Sequence, residues 1–456
     1  MKKASVAPLS PLDGRYAQAA GSVRDLLCEE ALIVQRCRVE IEWLRTLLEQ
    51  EPIGSKFGRV PTAKLAAIER LPAATIARDV RRIEKRTRHD VKAVEVWLAG
   101  QLKSAGQQRL VPLLHFGLTS WDVNNLAYAL MLSQARDQAL VVIADRLVGI
   151  LDQLAEKFAT AALLGRTHAQ PASPTTMGKE MAVFAHRLKR QRDAIAEHVF
   201  DGKCNGAVGN YNALVAAWPR LNWPLITRKM IEGMGLRFAS HTTQIEPYDG
   251  MVEFFDAVSR ANRVLRDLAQ DASVYIGAGH LRLPARPREV GSSTMPHKIN
   301  PIDFENGEGN IAVANALLTM FAEQLQQSRL QRDLSDSTIL RNIGTAFGHT
   351  VVAWTSIERG LQSLDCDREN MAVELDANWQ VLAEAAQTVL RRMGNADAYE
   401  IFRKATRSAG RLDHAAYCKL IREVFPNGSP EQKMLLALTP EKYIGLAARL
   451  AGKKAG

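Results

Sequence analysis

Apolar residues recur along this chain with the period of a helix and seldom with that of a strand. In MGKEMAVFAHRLKRQRDAI, Met177, Met181, Phe184, Ala185 and Leu188 fall at i, i+4, i+7, i+8 and i+11, a single helical stripe. The same period runs through MVEFFDAVSRANRVLRDLAQDASVYI and IAVANALLTMFAEQLQQ, with no strand pattern between them. Several long amphipathic helices in series predict a helix bundle. Some are too long for a small monomer to cover, so oligomerisation through helix faces is expected. Residues 1–110 read as a helical region with helices near 22–50 and 76–103, broken at EPIGSKFGRVPT and at LPAAT. From 111 to 365 the helices lengthen and become more apolar. From 366 to 456 they shorten again, punctuated by NG, SAG and PNGSP, with one helix start at Thr439-Pro440-Glu441 and a frayed AGKKAG tail. The fold class is all-α.

Composition adds exclusions. The hydrophobic share of 46% in 456 residues is ample for a large core. No apolar window reaches the length of a membrane span, and MKKASVAPLSPLDGRY has no apolar stretch behind its lysines, so no signal peptide is expected. Cys28, Cys37, Cys204, Cys366 and Cys418 are odd in number and form no C-x-x-C pair, which predicts a reducing compartment, the cytoplasm. A formal charge of +10 suits an anionic partner, either nucleic acid or a small phosphorylated or carboxylated substrate. The basic residues are interleaved with acidic ones, as in EKRTRHDVKAVE, and no nucleic-acid motif is present, so neither nucleic acid nor membrane is expected as a partner.

Four polar segments stand between the helices and carry the candidate chemistry. RTRHD places His89 at a helix start, where a capping role is the ordinary one. In GLTSWDVNNLAYALML, Thr119 and Asp122 have the spacing of a capping box, and the free amides and hydroxyls of Thr119 and Ser120 also suit a carboxylate or phosphate. In GRTHAQPASPTTMGKE, Pro171 and Pro174 hold the chain extended before a helix opens near Thr175 or Thr176, leaving His168 in a structured loop beside Arg166. The fourth is GSSTMPHKINP, followed by DFENGEGN. Here Gly291 frees the backbone, Ser292 and Ser293 supply hydroxyls, Lys298 a positive charge and Asn300 an amide. Such a loop can close over an anion. QRDLSDSTILR adds Arg332, Ser337 and Arg341, donors suited to phosphate. The histidines lack metal-ligand spacing, and NGAVGNYNA is in the wrong setting for a dinucleotide fingerprint, so neither metal nor cofactor is expected.

On these residues the chain resembles the fumarase/aspartase superfamily, whose members eliminate fumarate from a succinyl group and whose signature loop GSSTMPHKINP resembles. SPLDGRY, KRTRHDVKAVE, LTSWDVNNL, GRTHAQPASPTTMGKE, TTQIEP and QRDLSDSTILRN are similar to its bacterial branch acting on succinylated purine nucleotides. The resemblance implies three mostly helical domains, 1–110, 111–365 and 366–456. It also implies a central long-helix bundle forming the core of a homotetramer, with each site built from three subunits and a small-molecule nucleotide as substrate. Fumarate would be released from adenylosuccinate, giving AMP, and from the succinylcarboxamide ribotide intermediate of purine synthesis. It further implies that Ser292 is the base, that His168 is the acid and that Glu305 polarises His168. His89 would orient the substrate at its phosphate region, and Arg15, Tyr16, Arg332, Ser337 and Arg341 would hold the nucleotide. Thr119, Ser120, Lys298 and Asn300 would bind the succinyl carboxylates with Gln244 nearby, and Thr87, Arg88, Ser293 and Asn306 complete the set. Arg88 departs from the small polar residue, such as asparagine, expected before His89. The competing readings are another fumarate-releasing lyase, such as one acting on argininosuccinate, and a non-catalytic helical scaffold.

Overall fold

The computed structural model describes residues 7–284, 295, 297–408 and 412–452. The fold is all-α, with six short strands forming three two-stranded sheets among the described residues. The longest helices are Asp249–Gly277, Ile302–Leu325, Ile343–Gln362, Glu29–Leu48 and Met177–Ala196. The stripe read from the sequence is buried at every position, from Met177 to Leu188.

Chain contacts divide the molecule into two compact units. The first takes in residues up to Ile143, Gln191–Arg263 and Gly309–Ala353. Its helix Glu29–Leu48 opens on Glu29 and Glu30, which complement the N-terminal dipole, and buries Leu32, Ile33, Trp43, Leu44 and Leu47. It packs against Ser120–Ala135, in which every residue from Trp121 to Leu132 is buried. A helix enclosed on all sides has no polar face to show, hence the apolar run NLAYALML. The single helix expected over 76–103 is two, Ala73–Thr87 and Asp90–Ser104. The break falls at Arg88, whose φ of 51° is left-handed, and His89 caps the second helix by accepting from the Lys92 N–H at 3.2 Å. No glycine or proline marks this break, which is why periodicity runs through it.

The second unit comprises Ala144–Arg190, Val264–Glu308 and Trp354–Gly456. Its extended segment is a β-hairpin, Ala162–Thr167 paired antiparallel with Gln170–Thr176, and the following helix opens at Met177. Ala162 and Leu164 bury their side chains in a cluster with Leu375, Trp379, Leu382, Tyr417 and Ile421 from the C-terminal helices. DFENGEGN does not lie between helices but forms the first turns of Ile302–Leu325, with Asp303 and Glu305 at its positive end. Thr439 caps only one turn, Pro440–Lys442, its side chain accepting from the Lys442 N–H. All five cysteines are free thiols, and no helix among the described residues is long and apolar enough to cross a membrane.

Candidate active site

In the first unit, the N-terminus of Ser120–Ala135 is anchored from below by a buried carboxylate. Asp122 accepts from the Thr119 N–H at 2.8 Å, completing the capping box, and from the N–H groups of Asn205 and Gly206. It also pairs with Lys203 at 2.8 Å, both side chains being fully buried. A buried ion pair is held only where further hydrogen bonds satisfy it. Here Lys203 also donates to the carbonyls of Gly206 and Gln244. The cap read from the sequence therefore also fixes the loops bearing NGAVGN and TTQIEP.

Above this base the Arg332 guanidinium lies 4.1 Å from the Trp121 ring centroid. It donates to Gln244 Oε1 at 3.3 Å, to Ser337 Oγ at 3.1 Å and to the Asp333 carbonyl. A guanidinium has five N–H donors, of which these bonds use three, and the Asp336 carboxylate lies 3.7 Å from the same group. Asp336 supports the same array: it accepts from the Ser337 N–H at 2.6 Å and from the Tyr248 hydroxyl at 2.8 Å. Gln244, Arg332 and Ser337 thus meet beside Trp121, the residue that follows Thr119 and Ser120 in the chain. Trp121, Lys203, Tyr248 and Asp336 were missed as supporting residues: Trp121 and Asp336 lie inside segments singled out in the sequence, but their contacts with Arg332 and Tyr248, like that of Lys203 with Asp122, join positions far apart in the chain.

A second group gathers around Asp90. The Thr87 hydroxyl donates to the His89 carbonyl at 3.1 Å and closes the break at Arg88. Because His89 Nδ1 accepts a backbone N–H, the neutral ring carries its proton on Nε2, on a side chain that is half exposed. Asp90 pairs with Arg36 at 2.7 Å and approaches Arg341 at 3.9 Å. Burial pushes the Asp90 carboxyl up, but the Arg36 charge, the Val91 N–H and the Arg36 hydrogen bond hold it below the ordinary carboxylate range. Asp90 and Arg341 line a cavity of about 270 Å³ with Leu32, Met131, Leu132 and Tyr128, whose phenol burial pushes up to about 12. Arg15 is exposed, and Tyr16 packs against the cluster of Leu12, Ala20 and Val352.

In the second unit, His168 and Ala169 form the two-residue turn of the hairpin, with φ of 51° and 61°. Two left-handed residues match the twist of a hairpin, but each costs a non-glycine residue of order 1–3 kcal/mol. His168 is exposed at the tip. Lys298 is exposed, its N–H bonded to the Met295 carbonyl, and Asn300 is half-buried. Glu305 is exposed on the first turn of Ile302–Leu325, and Asn306 is committed to Ser356 Oγ at 3.0 Å. Among the described residues no hydrogen bond or ion pair is formed between His168 and Glu305. Ser292 and Ser293 lie outside the described residues.

The scaffold is shared with solved lyases. The fumarate lyase from Mesorhizobium sp. BNC1 superposes with a TM-score of 0.73 at 19% identity, covering 94% of this chain and 96% of that one. The 3-carboxy-cis,cis-muconate lactonizing enzyme from Pseudomonas putida gives 0.73 at 22% identity, covering 94% and 95%. Residues 54–315 match the family described as Lyase, and residues 328–444 match Adenylosuccinate lyase C-terminal. The class is therefore that of lyases with the all-α fumarate-lyase fold. Adenylosuccinate lyase of Legionella pneumophila (strain Corby) is 42% identical over 449 residues, 97% of each chain. That of Escherichia coli (strain K12) is 40% identical over 454 residues, 98% of each. The chain belongs to the adenylosuccinate lyase family.

Proposed function

We propose that this chain eliminates fumarate from adenylosuccinate to give AMP, and from the succinylcarboxamide ribotide to give its carboxamide. The observation that carries the reading is the likeness to adenylosuccinate lyases, sustained at 40–42% identity over nearly the whole length of both chains. The Arg332, Gln244 and Ser337 array supports it, since a guanidinium grouped with an amide and a hydroxyl suits an anionic nucleotide.

In the proposed step Ser292, activated to its alkoxide in a cationic, water-excluding pocket, takes a proton from the succinyl carbon beside a carboxylate and becomes the neutral hydroxyl. Negative charge then builds on that carboxylate, so a cation matters more in the transition state than in the ground state, and Lys298 is assigned that place. As the C–N bond breaks, its electron pair goes to the departing nitrogen, the purine amine in adenylosuccinate and the carboxamide nitrogen in the ribotide, which takes a proton from His168. His89 donates from Nε2 toward the phosphate region. Arg15, Tyr16 and Arg341 hold the nucleotide, while Thr119, Ser120 and Asn300 receive the carboxylates. Thr87, Arg88, Ser293 and Asn306 are assigned to the walls of the site. Glu305 would polarise His168 across a subunit boundary, in a homotetramer whose sites each draw on three subunits. The segments 1–110, 111–365 and 366–456 are proposed as its three domains, and the cytoplasm as its compartment.

An ultraviolet assay of the purified protein with adenylosuccinate tests this reading. Turnover is expected in the parent, with a loss of roughly a hundredfold or more in Ser292→Ala and in His168→Ala. Full activity in either variant removes that residue's assignment, and turnover of argininosuccinate in place of adenylosuccinate overturns the substrate.

A further inference from the structure

The hairpin carrying His168 is secured differently at its base and at its tip. At the base, Ala162 and Leu164 are buried among Leu375, Trp379 and Leu382, and Gly165 lets the two strands close. Beyond Gly165, residues 166–171 are all exposed. Apolar burial cannot hold a segment with nothing buried, so its position rests on polar contacts.

Two glutamates of the C-terminal helices supply them. On the first strand Arg166 donates to Glu374 and, at 3.3 Å, to the carbonyl of Ala169 in the turn itself. Glu374 is only 22% exposed and is backed by the buried His280, whose Nε2 lies 2.9 Å from Oε2 without hydrogen-bond alignment. On the second strand Ser173 donates to Glu384, which also accepts from the Tyr443 hydroxyl at 3.0 Å. Both anchors bridge the hairpin to the segment beyond residue 366, one on each side of a turn held in the left-handed region. Strained turns persist only where surrounding contacts over-determine them.

We infer that Glu374 and Glu384 are positioning residues, which clamp the two strands of the hairpin and set where the His168 imidazole stands. The inference rests on the proposed acid role of His168, and it gives the C-terminal segment a part in the reaction.

Glu374→Gln and Glu384→Gln in the full-length protein test it through two readouts. Amide hydrogen exchange at residues 166–172 is expected to rise roughly tenfold in each variant, with exchange in the remaining helices unchanged. The kcat for adenylosuccinate is expected to fall about tenfold to a hundredfold in Glu374→Gln while KM stays within about twofold, and Glu374→Asp is expected to recover part of the loss. Unchanged exchange at the tip in both variants overturns the clamp whatever the activity, and so does a rise spread evenly over the chain. A kcat loss matched by an equal rise in KM overturns the positioning role. A parent without turnover would count against the lyase reading instead, and the exchange result would still decide the clamp.

Discussion

Asp122 occupies the third position of its helix, where the sequence gives it the work of a cap. The structure gives it two further tasks, pairing with Lys203 and holding the Asn205–Gly206 backbone. Arg88 presents the converse case, a departure visible in sequence that runs against the backbone geometry at that position. Its φ of 51° lies where asparagine is comfortable and a long side chain is not. Glu246, within TTQIEP, carries a titration consequence. Burial, reinforced by the nearby Asp201 charge, pushes its carboxyl up to about 8, against the bond it accepts from the Tyr248 N–H. An unfolded glutamate titrates near 4.3, so between about pH 4.3 and 8 the folded state holds a proton that the unfolded state has released. That linkage lowers stability as pH rises through the window. Glu246→Gln should therefore gain on the parent between about pH 5 and pH 8.5, by up to a few kcal/mol in urea unfolding. An identical difference at both pH values would refute the shift.

At the scale of elements, the hairpin 162–176 shows what periodicity sees and what it misses. Two prolines announce extended chain, and the stripe from Met177 announces the helix after it, but the pairing of the strands depends on one close approach. A Cβ on Gly165 would lie 2.3 Å from the Ser173 carbonyl oxygen, so Gly165→Ala must push the strands apart. Thermal melting should report a loss of about 1–3 kcal/mol, with turnover falling as the His168 tip shifts; a variant unchanged in both would show that the strands can give way. The break at residue 88 and the helical state of DFENGEGN escaped for a related reason. A left-handed cap and a polar first helical turn have no apolar signature, and both are settled by hydrogen bonds to neighbours.

At the scale of the molecule, the candidate residues are divided between the two compact units: Thr119, Gln244, Arg332 and Ser337 in the first, His168, Lys298, Asn300 and Glu305 in the second. The proposed tetramer assembles them from different subunits, and subunit exchange tests it. Mixing inactive Ser292→Ala and His168→Ala proteins under conditions that exchange subunits should restore measurable turnover, because some sites then receive an intact copy of each residue. Exchange verified by mass without any recovered activity would sink the shared site. The sequence by itself determined the all-α class, the stripes that form the core and the short motifs that hold the candidate residues, because each is written in spacing that a local helix or loop must obey. Only the tertiary structure decided that Lys203 lies under Asp122, that Asp336 supports Ser337, and that Glu374 and Glu384 hold the hairpin of His168. Their partners are 81, 1, 208 and 211 positions away in the chain, and even the adjacent pair depends on Tyr248 arriving from elsewhere. Long-range contacts are chosen by packing and by the need to satisfy buried charge, and no local pattern records that choice.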